Sequence, residues 1–153
     1  MAALILAGCG GSSTVKEQWQ TVATSSFHFR APRGWHTKTA GNMTTASVDS
    51  QLVQVATFPL VHPYTPALFS KVEGELATRM TAVAQQSGGK VAGHSVVTAA
   101  GIRSHAYDVE VGDHVDEYTF VLRGKREYQL LCRRKASHDT SFCDELVSSF
   151  GVA

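Results

Sequence analysis

The run RSHAYDVEVGDHVDEYTFVLRGKREYQLLCR, residues 103–133, decides the fold class. Arg103–Val111, Val115–Leu122 and Glu127–Arg133 are rich in valine, tyrosine, phenylalanine and threonine, the residues that fit a pleated surface. Gly112-Asp113 and Gly124-Lys125 separate them. A glycine in a two-residue connection is a hairpin signal, because such turns need a positive φ. Connections this short join antiparallel neighbours only. Lys90–Thr98 precedes them as a fourth strand-like run, so the second half of the chain reads as an antiparallel meander.

Upstream lies the clearest helical signal. Leu68, Val72, Leu76, Met80 and Val83 recur at helical spacing on one face. Glu73, Glu75, Arg79 and Gln86 lie largely off that stripe. Thr65 is placed to cap the helix, Pro66 suits the first helical position, and Gly88-Gly89 ends it. Gly74, inside the helix, marks a candidate close approach of a neighbouring element. Before the helix, the Pro59–Pro66 stretch holds three prolines and reads as a loop. Thr44–Asp49 and Leu52–Phe58 read as strands, and Trp19–Ala23 as a strand that opens the sheet. Phe27-His28-Phe29-Arg30 alternates as a half-buried strand should, and Pro32-Arg33-Gly34-Trp35 then turns a corner. At the other end, Phe142, Leu146 and Phe150 are spaced by four and predict a helix over Asp139–Phe150. Asp139 or Ser137 is its cap, and Gly151 its stop.

The aromatic strand running into Ala31-Pro32-Arg33-Gly34-Trp35 resembles the opening of the PsbP family and its bacterial relatives, among them lipoproteins of the LpqN and DcrB types. The order of elements that follows is similar too, down to a last helix ending in Ser149-Phe150. The resemblance covers about residues 20–150 and implies an α+β fold, an antiparallel β-sheet with helices packed on both faces. It carries no shared activity and no set of catalytic residues. Arg33 and Trp35 match a structural motif only.

At 153 residues the chain suits one domain, and its hydrophobic fraction of 43% is that of an ordinary globular protein. A net charge of +1 exerts no general pull toward nucleic acid or an anionic membrane. No run of about 18 apolar residues offers a membrane-spanning helix.

Three cysteines, Cys9, Cys132 and Cys143, leave one without a partner. Cys9 supplies its own explanation. Met1 to Ala7 are apolar or small, and Leu6-Ala7-Gly8-Cys9 resembles the lipobox of bacterial lipoproteins. That resemblance implies cleavage before Cys9 and acylation of its sulfur, an anchor worth about 0.8 kcal/mol per buried methylene. Residues 1–9 therefore read as a signal-peptide remnant and lipobox, 10–18 as a flexible tether, and 19–153 as the single folded domain. The expected location is extracytoplasmic and membrane-anchored, in a bacterial cell envelope. Disulfides persist there. Cys132 shares a strand face with Tyr128 and Leu130, and Cys143 lies beside Phe142 in the first turn of the last helix, so a structural disulfide is expected. The rival is a redox pair, which normally needs a Cys-x-x-Cys spacing that is not found here.

No nucleophile elbow, zinc-protease helix, phosphate loop or dinucleotide fingerprint occurs. The weak metal candidates are His105, His114 and Asp116, within the acidic run that also holds Asp108, Glu110, Asp113 and Glu117. Against them, alternation sends neighbouring carboxylates to opposite faces, and a solvated acidic hairpin is the simpler reading. Arg123, Lys125, Arg126, Arg133, Arg134 and Lys135 make the following hairpin basic. They are candidates for a docking surface, or for edge protection of the sheet. The expectation is a non-enzymatic envelope lipoprotein that binds a protein partner or supports a complex, without cofactor. A carrier or sensor of a small ligand, lipid or glycan is the alternative, and would use an apolar pocket between the long helix and the sheet.

Overall fold

The computed structural model describes residues 18–137 and 139–153. Cys9 and most of the expected tether lie outside them. The strands are β1 (Trp19–Ala23), β2 (Phe27–Pro32), β3 (His36–Ala40), β4 (Met43–Val48), β5 (Gln51–Tyr64), β6 (Lys90–Ala99), β7 (Ile102–Val111), β8 (His114–Lys135) and β9 (Gly151–Val152). The helices are α1 (Phe69–Ser87) and α2 (Ser141–Ser149). A three-stranded sheet runs β1-β2-β9, and a six-stranded sheet runs β3-β4-β5-β8-β7-β6. Every pairing between strands is antiparallel.

β8 is not straight. Its 17-residue separation would hold Asp116 and Arg133 about 56 Å apart in an extended strand. Instead the Arg133 guanidinium donates to both Asp116 carboxylate oxygens, at 2.7 and 2.9 Å. The Ala136 N–H donates to the Asp113 carbonyl at 2.9 Å. β8 therefore folds back on itself about Gly124-Lys125, the hairpin its sequence predicts. Gly124 holds φ at 57°, which glycine adopts without strain. One arm pairs with β7 (His105 opposite Phe120) and the other with β5 (Val53 opposite Cys132).

Alternation along these arms divides the interior. Leu130 packs with Phe27, Phe29, Val53, Val55, Leu146 and Phe150 in the core beneath α2 and the small sheet. Its neighbour Leu131 packs with Leu76, Met80, Tyr107, Val109 and Phe120 in the core beneath α1.

Several local expectations are corrected. β1 and β2 do not open the main sheet but form the smaller one with β9, so Gly151 continues into a strand beside His28 rather than only ending a helix. β3 was not expected, and its five residues are all exposed, so no apolar alternation could announce it. The proline stretch is an extension of β5 rather than a loop. Pro66 opens a single 3-10 turn, Pro66–Leu68, with no side-chain cap from Thr65, and α1 begins only at Phe69. Gly74 has open space around it, so no close approach explains it. Gly88 does end α1, in the left-handed conformation. α2 is shorter than the expected Asp139–Phe150 and its N-cap is Thr140 rather than Asp139 or Ser137; Asp139 lies one residue earlier and accepts the Ser141 N–H at 2.9 Å.

Candidate functional site

The β5 extension builds an open apolar feature. β4 stops pairing with β5 at Ala56. β8 follows β5 as far as Pro59, loses register, and regains it where Tyr64 faces Gly124. Pro59 and Pro63 have no N–H to donate, so the ladder cannot run through them. The result is an overhang, Phe58–Tyr64, on which Val61 is 90% exposed and Phe58 37%.

Between the overhang and the N-terminal half of α1 lies a cleft of about 280 Å³. Leu60, Tyr64, Leu68, Val72, Leu76 and Leu122 form its apolar walls. Its polar feature is an ion pair, Arg79 Nη1 to Glu127 Oε1 at 2.6 Å. Glu127 is buried, while Arg79 is half-exposed and lies 5.5 Å from the centroid of the Phe120 ring. Farther along α1 the space is filled by the core around Met80, so the pocket expected between helix and sheet exists at one end only. Burial raises the Tyr64 hydroxyl above its ordinary pKa, against a smaller opposing pull from Arg103.

The six basic residues do not form one surface. Arg123, Lys125 and Arg126 are exposed at the β8 hairpin tip, beside Tyr64 and Pro59 of the overhang. Arg133 and Arg134 lie at the far end of the hairpin, engaged with Asp116 and with Glu117 (Arg134 Nε to Glu117 Oε2, 2.7 Å). Lys135 is exposed at that same far end. The hydrogen bond to Asp116 holds Arg133 above its ordinary pKa.

Nor do the metal candidates converge. His105 faces Phe120 and His114 faces Val111, about 20 Å apart along the ladder. His114 instead lies 3.8 Å from Asp116, which is already spent on Arg133. Among the described residues, one tight cluster joins three potential ligands, Glu117, Cys132 and Cys143. A disulfide between Cys132 and Cys143 takes both sulfurs (Cα–Cα 5.4 Å). Around it runs a second hollow of about 330 Å³, between α2 and the sheet, lined in part by Asp108, Glu117 and Asp144. Desolvation raises the pKa of Glu117, opposed by the Arg134 hydrogen bond, and desolvation likewise raises Asp108.

No family profile and no curated protein matches the chain. Solved structures do. The solution structure of cyanobacterial PsbP (CyanoP) from Synechocystis superposes with a TM-score of 0.65 at 14% identity, over 97% of this chain and 99% of that one. The fold is PsbP-like. A crystal structure from Bacteroides thetaiotaomicron superposes with a TM-score of 0.57 at 9% identity, over 83% of this chain. This chain spans only 45% of that protein's length. At such identities the likeness is one of PsbP-like architecture alone. The corner at Pro32–Trp35 signalled it from sequence. The cleft had no such signal, because proline-rich residues 59–66 read as a loop.

Proposed function

We propose that the protein is a non-enzymatic cell-envelope lipoprotein of the LpqN and DcrB kind, held to a membrane by acylated Cys9, that docks a partner protein at the β5 overhang. In this reading α1 and α2 flank the six-stranded sheet on its two faces, and the overhang projects past their cover. The observation that carries the reading is the exposed apolar overhang, Phe58 and Val61 above all, beside an open cleft. Contiguous apolar surface with a polar rim marks interaction sites in soluble domains. The cleft itself holds both signs, with Lys71 and Glu75 among its lining residues, while the exposed Arg123, Lys125 and Arg126 at the neighbouring hairpin tip make that end basic, so the matching partner segment is apolar with acidic residues on the side of the tip.

A photo-crosslinking residue at Val61, in the native host, tests this. One abundant protein adduct, lost on Phe58→Glu with Arg126→Glu and missing from a control at Thr39 on β3, is the expected result. Adducts with lipid or glycan alone would replace it with the carrier reading, in which the cleft beside the overhang holds the ligand. No adduct, or equal adducts from Thr39, overturns both. Cys9→Ser is expected to release the protein from the membrane fraction; retention there refutes the anchor.

A further inference from the structure

The six-stranded sheet ends in two unlike edges. At one end β3 spans five residues, all exposed, with Lys38 at its centre. A short strand carrying a lysine is a guarded edge. At the other end β6 spans ten residues and pairs with β7 on one side. Among the described residues no strand pairs with its outer side. That side presents backbone N–H and C=O groups, a template for another strand.

β6 lacks the guards that β3 carries. Val91 to Ile102 contains no Asp, Glu, Lys, Arg or Pro. Lys90 is engaged with Glu110 at 3.3 Å. A register shift between Val91 and Gly93 sets Lys90 apart from the regular stretch, Gly93–Ala99. His94, the one ionisable side chain between Lys90 and Arg103, is tied inward, its Nε2 3.0 Å from His105 Nδ1. The run Ser95-Val96-Val97-Thr98 that follows is of the kind that suits strand pairing. Val96 is 45% exposed, and Ser95 and Thr98 are exposed as well, so the helices leave this edge uncovered.

We propose that Gly93–Ala99 pairs antiparallel with the same stretch of a second copy, about a two-fold axis at Val96, and joins the two six-stranded sheets into one. In this register Val96 lies opposite the partner's Val96, Ser95 opposite the partner's Val97, and His94 opposite the partner's Thr98. Two valines that each copy leaves in water then cover one another, a favourable cross-strand pair. Three features select a second copy over a foreign strand. An uncharged edge opposes no like charges when it pairs with itself. On the α1 face Glu73 stands beside His94, and Arg103 is the β7 neighbour of Thr98, so the register directs Glu73 of each copy toward the partner's Arg103. The contact also closes: a two-fold pairing uses both β6 edges and leaves the guarded β3 edges outermost, so it stops at a dimer. The surface is separate from the β5 overhang and stands or falls without it.

The test is sedimentation velocity of the full chain, carrying Cys9→Ser to remove the acylation site, over a series of concentrations. A reversible monomer–dimer equilibrium without larger species is expected. Val96→Lys and Val96→Glu each set like charges against one another across the axis, and each is expected to weaken the dimer about tenfold or more. Val96 is exposed, so both variants are expected to fold as the parent does, which circular dichroism checks. Mixing the two sets Lys against Glu and is expected to restore a dimer with one copy of each. Val61→Lys, on the overhang, is expected to dimerise like the parent. A chain that stays monomeric up to about 1 mM overturns the proposal. So does association beyond the dimer, a dimer indifferent to Val96→Lys or lost in Val61→Lys, or a mixture that fails to recover.

Discussion

Breaking the Cys132–Cys143 bond gives the sharpest quantitative test of how α2 is held. The two residues are 11 apart in sequence. Closing a loop of that size removes about 3 kcal/mol of unfolded-chain entropy at 25 °C. Both cysteines are buried among Phe29, Val53, Leu130 and Leu146, so replacing them by alanine also strips two sulfurs from the core, about 1–2 kcal/mol more. Cys132→Ala/Cys143→Ala is therefore expected to cost about 4–5 kcal/mol. Reduction of the unmodified chain, which keeps the sulfurs, is expected to cost about 3. For a domain of this size those figures correspond to falls in Tm of about 15 °C and about 10 °C. Urea and thermal unfolding of oxidised, reduced and doubly substituted protein check the order. Coincident midpoints for the oxidised and reduced forms would refute the argument. So would an intact mass without the loss of two hydrogens, or reactive thiols at both positions in the folded protein.

Gly89→Ala is expected to destabilise by about 1–3 kcal/mol, because a Cβ there overlaps the Glu110 carbonyl and the Val111 side chain where β6 meets β7. Gly74→Ala, in open space on α1, is expected to stabilise by about 0.5–1 kcal/mol; chemical denaturation reads both, and a matching sign would sink the distinction. Arg133→Ala strands the buried Asp116 carboxylate and is expected to cost about 2–3 kcal/mol, while a urea midpoint within error of the parent would show that water reaches Asp116. Glu117 and Asp108 have folded pKa values above their ordinary ones, so the folded state binds their protons more tightly than the unfolded chain does. Their contribution to stability is thus full below the ordinary carboxylate range and is lost as pH rises through the folded values. Glu117→Gln is expected to flatten that loss, and an unchanged pH profile of Tm would contradict the assignment.

What the sequence disclosed follows from what each segment buries. β2 alternates between core and surface, so period-two patterning announced it, whereas the β8 hairpin is buried on both faces and was announced by its β-rich composition and its glycine turn. α1 buries Leu76, Met80 and Ala84 on one stripe, and the stripe was legible. β3 buries nothing: His36, Thr37, Lys38, Thr39 and Ala40 form an edge strand held by backbone pairing to β4, and backbone pairing leaves no mark in side-chain polarity. The β5 overhang misleads for the opposite reason, since prolines normally break strands, yet here Pro59 sits where the ladder to β8 ends and Pro63 lies in the unpaired stretch beyond it. His94 escaped notice because its hydrogen bond to His105 depends on cross-strand register, which places the two diagonally across from one another although 11 residues separate them.

The same hairpin arithmetic redirects the search for a docking surface. In sequence, an acidic block precedes Gly124 and a basic block follows it, which reads as two opposed charged faces. A hairpin reverses chain order, so residues equidistant from its turn become neighbours. Asp116 and Arg133 are eight and eight residues from Gly124-Lys125, and they meet in a two-point hydrogen-bonded ion pair. Glu117 meets Arg134 one step away. The opposed blocks therefore consume each other's charge within the sheet, and the field they would have projected largely cancels at short range. Basic residues lying close to the turn have no acidic counterparts at matching distance. Arg123, Lys125 and Arg126 are left exposed at the tip, and the register of β5 sets that tip against Pro59 and Tyr64. Uncompensated charge and uncovered apolar surface thus coincide at one end of the molecule. That coincidence makes the overhang, rather than the Arg133–Lys135 end, the place to look for a partner.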